Sequence, residues 1–281
     1  MREIASTEIS KAIAYLAQKT NYELGSDVLD LLKKARLNEF SPIGCDVLDK
    51  LLDNAQIAKS ENMPLCQDCG TAVVFLDIGQ DVHIIGGYLY SAIAEGVRQG
   101  YQEGYLRKSM VYHPFSKRIN TNDNTPPIIH TEIVPGEKIK ISFMPKGGGA
   151  ENMSRLVMLK PSADIHELIN AVVTTIQDAG GNPCPPLIIG IGIGATAEKS
   201  MQNAKRALLR PAGQPSSDPE VASLEHQILE TVNRLGIGPL GMGGTVTAMA
   251  VHAEARPCHF ASLPLAINLQ CHSARHGEVI L

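Results

Sequence analysis

An α/β fold with mixed sheets and surrounding helices, preceded by a helical N-terminal segment, is predicted by three features of the chain. From residue 164 onward, short apolar runs alternate with longer stretches of helical period, the signature of strands alternating with helices. Before about residue 62 the apolar residues recur only at helical spacing. The chain has 281 residues, 44% of them hydrophobic, enough for one sizeable core. The expectation is a single domain over 1–281, with a helical segment over about 1–62 and an α/β region over about 63–281.

The elements follow in order. Ile9, Ala12, Ile13 and Leu16 share one helical face, as do Val28, Leu31 and Leu32, and then Val47, Leu51, Leu52 and Ile57. Pro64 closes this region. Thr71 to Leu76 reads as a buried strand. A helix is predicted from Tyr88 to Tyr105, interrupted by Gly96, Gly100 and Gly104. Ser116 to Pro127 is polar and reads as a loop. Ile128 to Val134 and Lys138 to Phe143 read as a strand pair across the turn Pro135-Gly136. Helices are predicted over Ile165 to Ala179, Ala197 to Leu209 and Pro219 to Leu235. Strands are predicted over Leu187 to Ile193, Val246 to Ala253 and Leu263 to Leu269. Pro211 to Pro219 reads as an exposed loop.

Composition narrows the function. Net charge is -4 and no basic tract suggests nucleic acid. There is no Trp and only five Phe, too few aromatics for base-stacking platforms. The start lacks an apolar signal region, and no apolar run approaches the roughly 18 residues of a membrane span. The expectation is a cytoplasmic protein in which the six cysteines are thiols or metal ligands.

Three cysteines lie in segments that read as site loops. These are Cys66 in Pro-Leu-Cys-Gln-Asp, Cys184 in Asn-Pro-Cys-Pro-Pro, and Cys271 in Asn-Leu-Gln-Cys-His. Three thiolates gathered from distant segments suit a [4Fe-4S] cluster with one open iron. Taken singly each thiol is equally a structural residue. Cys66 and Cys69 also form Cys-x-x-Cys, a pattern of redox pairs and zinc sites, but a β-rich run follows it rather than a helix. Gly147-Gly148-Gly149 beside Lys146 can bring amides to an anion, or form a flexible turn. Gly192, Gly194 and Ala197 fit a dinucleotide-binding pattern, which close helix–strand packing explains equally well. His259 lies near a proline-rich turn, whereas His130 and His252 read as structural. Arg107 and Lys108, with Lys117 and Arg118, are locally basic and read as an anion site or a solvated face.

Several of these segments, in this order, resemble the iron–sulfur class I fumarate hydratases and their relatives the L-tartrate dehydratases. They are Pro64 to Asp68, Asp123-Asn124-Thr125-Pro126, Lys146 to Gly149, Asn182 to Pro186, Leu235 to Gly244 and Asn268 to Cys271. The resemblance covers nearly the whole chain. It implies a hydro-lyase that adds water reversibly to fumarate in the tricarboxylic acid cycle, with Cys66, Cys184 and Cys271 binding the cluster. Gln67, Asp68, Arg107 and the glycines 147–149 match substrate-contacting positions, and His259 matches an active-site histidine. Asp68 and His259 are then the residues expected to move protons. Cys69 departs from the family, where Thr is usual, and Arg256 and Cys258 replace commoner neighbours of His259. The family's further domain does not follow Leu281, so the chain resembles an α subunit. It is expected to need a separate β subunit, to form a hetero-oligomer with α–α contacts, and to act on a dicarboxylate. Gly149 to Ser154 looks like the fumarase version of its loop; tartrate dehydration is the nearest alternative.

Overall fold

A computed structural model describes residues 2–281 and shows mixed α/β structure with a helical N-terminal segment. A short strand, β1 (Arg2–Ala5), leads into helices α1 (Ser6–Tyr22), α2 (Ser26–Asn38) and α3 (Pro42–Glu61). Strands β2 (Thr71–Gly79) and β3 (Val82–Ile85) precede α4 (Leu89–Glu103), and β4 (Ile128–Val134) and β5 (Ile139–Lys146) come next. The helical turn α5 (Gly148–Glu151) leads to β6 (Arg155–Leu159), α6 (Ile165–Ala179), β7 (Leu187–Gly194), α7 (Ala197–Ala207) and α8 (Pro219–Asn233). The chain ends with β8 (Ala248–Arg256), β9 (Leu263–Gln270) and β10 (Gly277–Ile280). Among the described residues no helix is long and apolar enough to cross a membrane.

The chain divides into two compact units. Among the described residues the first comprises residues 2–25, 55–148 and 275–281, and the second residues 26–54 and 149–274. In the first unit a four-stranded sheet runs in the order β10-β5-β2-β4, and β1 pairs in parallel with β3. Strand β2 is buried almost throughout because it is central. It runs antiparallel to β5 and parallel to β4, with Phe75 opposite both Ser142 and His130. The expected pairing of β4 with β5 across Pro135-Gly136 is therefore corrected: both strands form, but β2 lies between them. His130 stacks on Phe75 with ring centroids 4.7 Å apart, which makes it a packing residue. Ile9, Ile13 and Leu16 of α1 bury their face against Val74, Leu76, Ile141 and Phe143 of the sheet and Ile93 and Val97 of α4. Of the glycines expected to interrupt α4, Gly96 and Gly100 do not, while Gly104 ends it as the C-cap; a side chain at Gly96 would meet the Ser10 carbonyl at 2.5 Å, so its bareness lets α1 lie close.

In the second unit the sheet order is β6-β9-β7-β8. Strand β7 runs parallel to β8 and antiparallel to β9. Its core joins Val172 and Ile176 of α6, Ile189 and Ile191 of β7, Ile228 and Val232 of α8, and Leu265 and Ile267 of β9. Helix α6 starts where its capping box dictates: Asp164 accepts from the Glu167 amide at 2.9 Å, and Glu167 accepts from the Asp164 amide at 3.1 Å. A Cβ on Gly192 would stand 2.0 Å from the Ser200 carbonyl. Close packing of α7 on β7 thus accounts for Gly192, and the Arg256 carbonyl of β8, 2.1 Å from a Cβ at Gly194, with a φ of +81° accounts for Gly194. His252, 1% exposed, is also structural; its Nε2 accepts from the Gly213 amide at 3.2 Å, and Nδ1 faces the Ala207 carbonyl at 3.2 Å. These bonds help tie down the exposed loop after α7.

Glu39, between α2 and α3 and 5% exposed, acts as an internal anion. Its carboxylate accepts from the amides of Phe40, Ser41, Thr245 and Val246 at 2.9–3.0 Å and from the Thr245 hydroxyl at 3.0 Å. Burial alone would raise its pKa, but the amides of Ser41, Thr245 and Val246 outweigh that and hold it below the ordinary value. A carboxyl that ionises more readily folded than unfolded contributes stability above its unfolded pKa of about 4.3, and loses it as pH falls through the folded value. Between about pH 5 and pH 2 the wild-type urea midpoint should fall more steeply than that of Glu39→Gln. At pH 7 the variant should be less stable by about 2 kcal/mol; parallel pH curves would disprove the account.

Candidate functional site

The loop between α3 and β2 carries Cys66, Gln67 and Asp68, and buried groups of the first unit hold it in place. Asn21, fully buried in α1, accepts the Leu65 amide on its carbonyl at 2.8 Å. Tyr101 of α4 is equally buried; its hydroxyl donates to the carbonyl of Cys69 at 2.7 Å, with the Gly70 carbonyl at 3.1 Å. Asn124, 0% exposed, donates to the Gly70 carbonyl at 3.1 Å and accepts the Ser109 amide at 2.8 Å. The buried side chains of Tyr101 and Asn124, with the main-chain carbonyl of Asn21, thus fix the two ends of a short loop through its backbone groups.

Asp68 closes the loop onto the sheet. Its Oδ1 accepts the Gly70 amide at 2.9 Å and its Oδ2 the Gly148 amide at 2.7 Å. Gly70 opens β2 and Gly148 follows β5, and these strands pair at Thr71 and Lys146. Gly147 lies beside this bridge: a Cβ there would stand 3.5 Å from Asp68 Oδ2 and 3.9 Å from Arg275 Nη2. Arg275 is 2% exposed and Lys146 is 1% exposed. Arg275 Nη1 donates to Asn21 Oδ1 at 2.7 Å, while its Nε has no hydrogen-bond partner. The floor under the loop is therefore electropositive, suited to anionic occupants.

The two cysteines of the Cys-x-x-Cys pattern face different surroundings. Cys66 is half-buried, and its sulfur accepts the Asp68 amide at 3.4 Å. Cys69 is 1% exposed. Its sulfur accepts the Arg107 amide at 3.2 Å and donates to the Cys66 carbonyl at 3.7 Å. Burial pushes the Cys69 thiol up, against the opposing effects of the Arg107 amide and the Arg275 charge. A raised pKa is the reverse of what a redox thiol needs. Arg107 itself is exposed, and its Nη1 donates to Gln67 Oε1 at 2.8 Å. Cys66, Gln67, Asp68, Arg107, Gly147 and Gly148 are thus brought together on one face of the first unit.

The second unit gathers Cys184 and Cys271. Cys184 is exposed and lies in the left-handed region at φ 55°. Its amide donates to the Gly181 carbonyl at 3.0 Å, and its carbonyl accepts the amide of His272 at 3.2 Å. The Leu240 amide donates to Pro185 at 2.7 Å, so the glycine-rich segment 235–244 braces the cysteine turn. Ile188 pairs with Gln270, which sets both cysteine segments at the same end of the sheet. The amide-rich turn holding Gly149 is fixed by Glu151, which receives Lys205 Nζ at 2.6 Å and Asn268 Nδ2 at 3.1 Å.

His259 is exposed and stands at the other end of that sheet. Gly194, the last residue of β7, pairs with Arg256, and the Ala195 amide donates to the Pro257 carbonyl at 3.2 Å. Seven residue steps along β7 at about 3.3 Å each separate the two ends by roughly 23 Å. The structure therefore does not bring His259 to the cysteines of its own unit. Its Nδ1 accepts the Ala261 amide at 3.1 Å, so the neutral ring carries its proton on Nε2. Among the described residues no group of three or more His, Cys, Asp or Glu side chains is arranged to hold a metal ion.

The supports of the site were less legible than its exposed residues. Asn124 lies in the singled-out segment Asp-Asn-Thr-Pro, and its left-handed φ of 62° suits Asn. His272 lies in the singled-out segment Asn-Leu-Gln-Cys-His, whereas Tyr101, Asn21 and Arg275 carry no local signal. Replacing Tyr101 by Phe should leave the buried Cys69 carbonyl without this donor and cost about 2 kcal/mol, read as a lower urea midpoint. An unchanged midpoint would refute the role of the hydroxyl.

With this geometry in hand, comparison with known proteins is informative. The family model described as Fumarate hydratase (Fumerase) matches residues 10–280. A protein of Methanocaldococcus jannaschii named putative L(+)-tartrate dehydratase subunit alpha is 41% identical over 275 residues, 96% of each chain. The L(+)-tartrate dehydratase subunit alpha of Escherichia coli O157:H7 is 30% identical over 284 residues, covering 100% of this chain and 93% of its own. The chain belongs to the fumarate hydratase family, the hydro-lyases that include the L(+)-tartrate dehydratase α subunits.

Proposed function

We propose that this chain is the α subunit of an iron–sulfur hydro-lyase that interconverts fumarate and (S)-malate, working with a separate β subunit. Family membership across residues 10–280 carries this reading. The partner is supported by the name "subunit alpha" borne by its relatives.

Cys66, Cys184 and Cys271 are the proposed ligands of a [4Fe-4S] cluster. The donor set suits the group: none of the three cysteines is in a disulfide, each is at least partly exposed, and the Cys66 sulfur already accepts an amide hydrogen as a thiolate would. When bound, such a cluster supplies a Lewis-acidic iron that lacks a protein ligand. Cys69 is excluded as a ligand because its sulfur is buried and engaged by Arg107.

The chain's own groups would then bind and orient a dicarboxylate. Arg107 offers a guanidinium whose fork matches a carboxylate, and its bond to Gln67 pre-orients both side chains. The amides of Gly147 and Gly149 are further candidate contacts, whereas that of Gly148 is already committed to Asp68. Asp68 keeps a lone pair free on each oxygen after its two amide bonds, so it can accept a proton from water or a hydroxyl. His259, with Nε2 protonated when neutral, can donate one. Its position at the far end of the second unit's sheet supports action in the site of a second α subunit, consistent with expected α–α contacts.

Fumarate hydration is the favoured activity because Gly149 to Ser154 matches the fumarase form of that loop. The relatives' names favour tartrate dehydration as the second reading. Anaerobically reconstituted αβ enzyme should turn over malate at least tenfold faster than L-tartrate; the opposite preference would replace the first reading with the second. Bound zinc without iron would sink both. For His259, mixing a Cys271→Ser α subunit with a His259→Asn α subunit should recover activity up to about a quarter of wild type, as shared sites in a two-fold assembly allow. No recovery from mixed oligomers would place His259 outside a shared site.

A further inference from the structure

We infer that His272 is a positioning residue for Cys184, through a side-chain bond that ties the two cysteine segments of the second unit together. This rests on the reading that Cys184 and Cys271 bind iron. The carbonyl of Cys184 takes two hydrogen bonds from one residue: the His272 amide at 3.2 Å and the His272 ring at Nδ1, 3.1 Å away. A carbonyl only accepts, so Nδ1 is the protonated nitrogen in this pairing.

The geometry explains why a second donor matters. Cys184 is exposed and its sulfur reaches the Asn182 carbonyl at 4.0 Å, so the direction of its side chain depends on the backbone of its own turn. That backbone sits at φ 55°, a conformation that non-glycine residues keep only where their surroundings enforce it. The flanking residues Pro183, Pro185 and Pro186 have no amide hydrogens to help. One amide donor to the Cys184 carbonyl leaves the peptide plane free to rock about that bond. A second donor from the ring fixes the plane, and with it the direction in which the thiol points. Because His272 directly follows Cys271, the same residue sets the spacing of two ligands. The role assigned to the ring is that of an outer hydrogen-bond partner, which supports the metal through the Cys184 carbonyl.

The test uses the full chain loaded with iron and sulfide without oxygen, then challenged with a ferrous chelator. His272→Ala should lose its visible absorbance about tenfold faster than wild type, as outer-partner substitutions typically do. His272→Asn, whose Nδ2 occupies the same place in the side chain as Nδ1, should return the rate to within about twofold of wild type. The cluster-free chains should unfold at the same temperature, which a general packing defect would not allow. If His272→Ala does not fold, His272→Phe takes its place with the same expected loss. Iron loss from the donor-less variant at the wild-type rate, or an Asn variant no better than it, overturns the inference. A wild-type chain that takes up no iron overturns the functional reading as well; a loaded wild type with an equally retentive variant overturns this inference alone.

Discussion

The Asp68 carboxylate is the interaction on which the first unit's site depends. One oxygen holds the amide that opens β2, and the other holds the amide that follows β5. Because these strands are neighbours in the sheet, one side chain joins a surface loop to the most rigid part of its unit. Charge-assisted bonds of this kind are stronger than neutral ones. The loop then inherits its precision from β2, which is central and almost wholly buried. Tyr101, Asn21 and Asn124 reinforce it from beneath. Chemistry on a loop requires a rigid scaffold of this sort, and here the scaffold and a proposed proton acceptor share one residue.

The second unit solves a related problem differently. Cys184 and Cys271 are not on strands but immediately outside the ends of β7 and β9, which run antiparallel. Antiparallel pairing brings the start of one strand beside the end of the other. The same pairing logic sends the segment after β8 to the opposite end, because β8 is parallel to β7. Sheet topology alone therefore places His259 and the cysteines of this unit at opposite ends of the sheet.

Much of this architecture is legible in the sequence, for identifiable reasons. Helices α1, α6 and α8 show a clear period, and Asp164 with Glu167 marks the start of α6. The central strands are continuous apolar runs. Strands β1, β3, β6 and β10 escape notice because each is only four or five residues long and finds its partner far along the chain; β10 pairs with β5, about 140 positions earlier. The β4–β5 hairpin fails as a reading because local turn chemistry cannot reveal that β2 claims the space between. At the site, Cys66, Gln67 and Asp68 stand out as loop residues of reactive type. Their supports do not, because a tyrosine on a helix face and an asparagine at a helix end look ordinary until the backbone groups they satisfy are known.

The segment from Leu235 to Gly244 holds a further lesson. Gly236, Gly238, Leu240, Gly241, Gly243 and Gly244 all take positive φ, and the segment contacts the cysteine turn through backbone, not through reactive side chains. Its composition is demanded by shape. A paralogue could keep this signature intact, match the family, and yet have lost the thiols proposed to bind the cluster. Membership and the proposed cluster ligands are thus written in separate parts of the chain, so a match over this more recognisable stretch carries no information about the three cysteine loops.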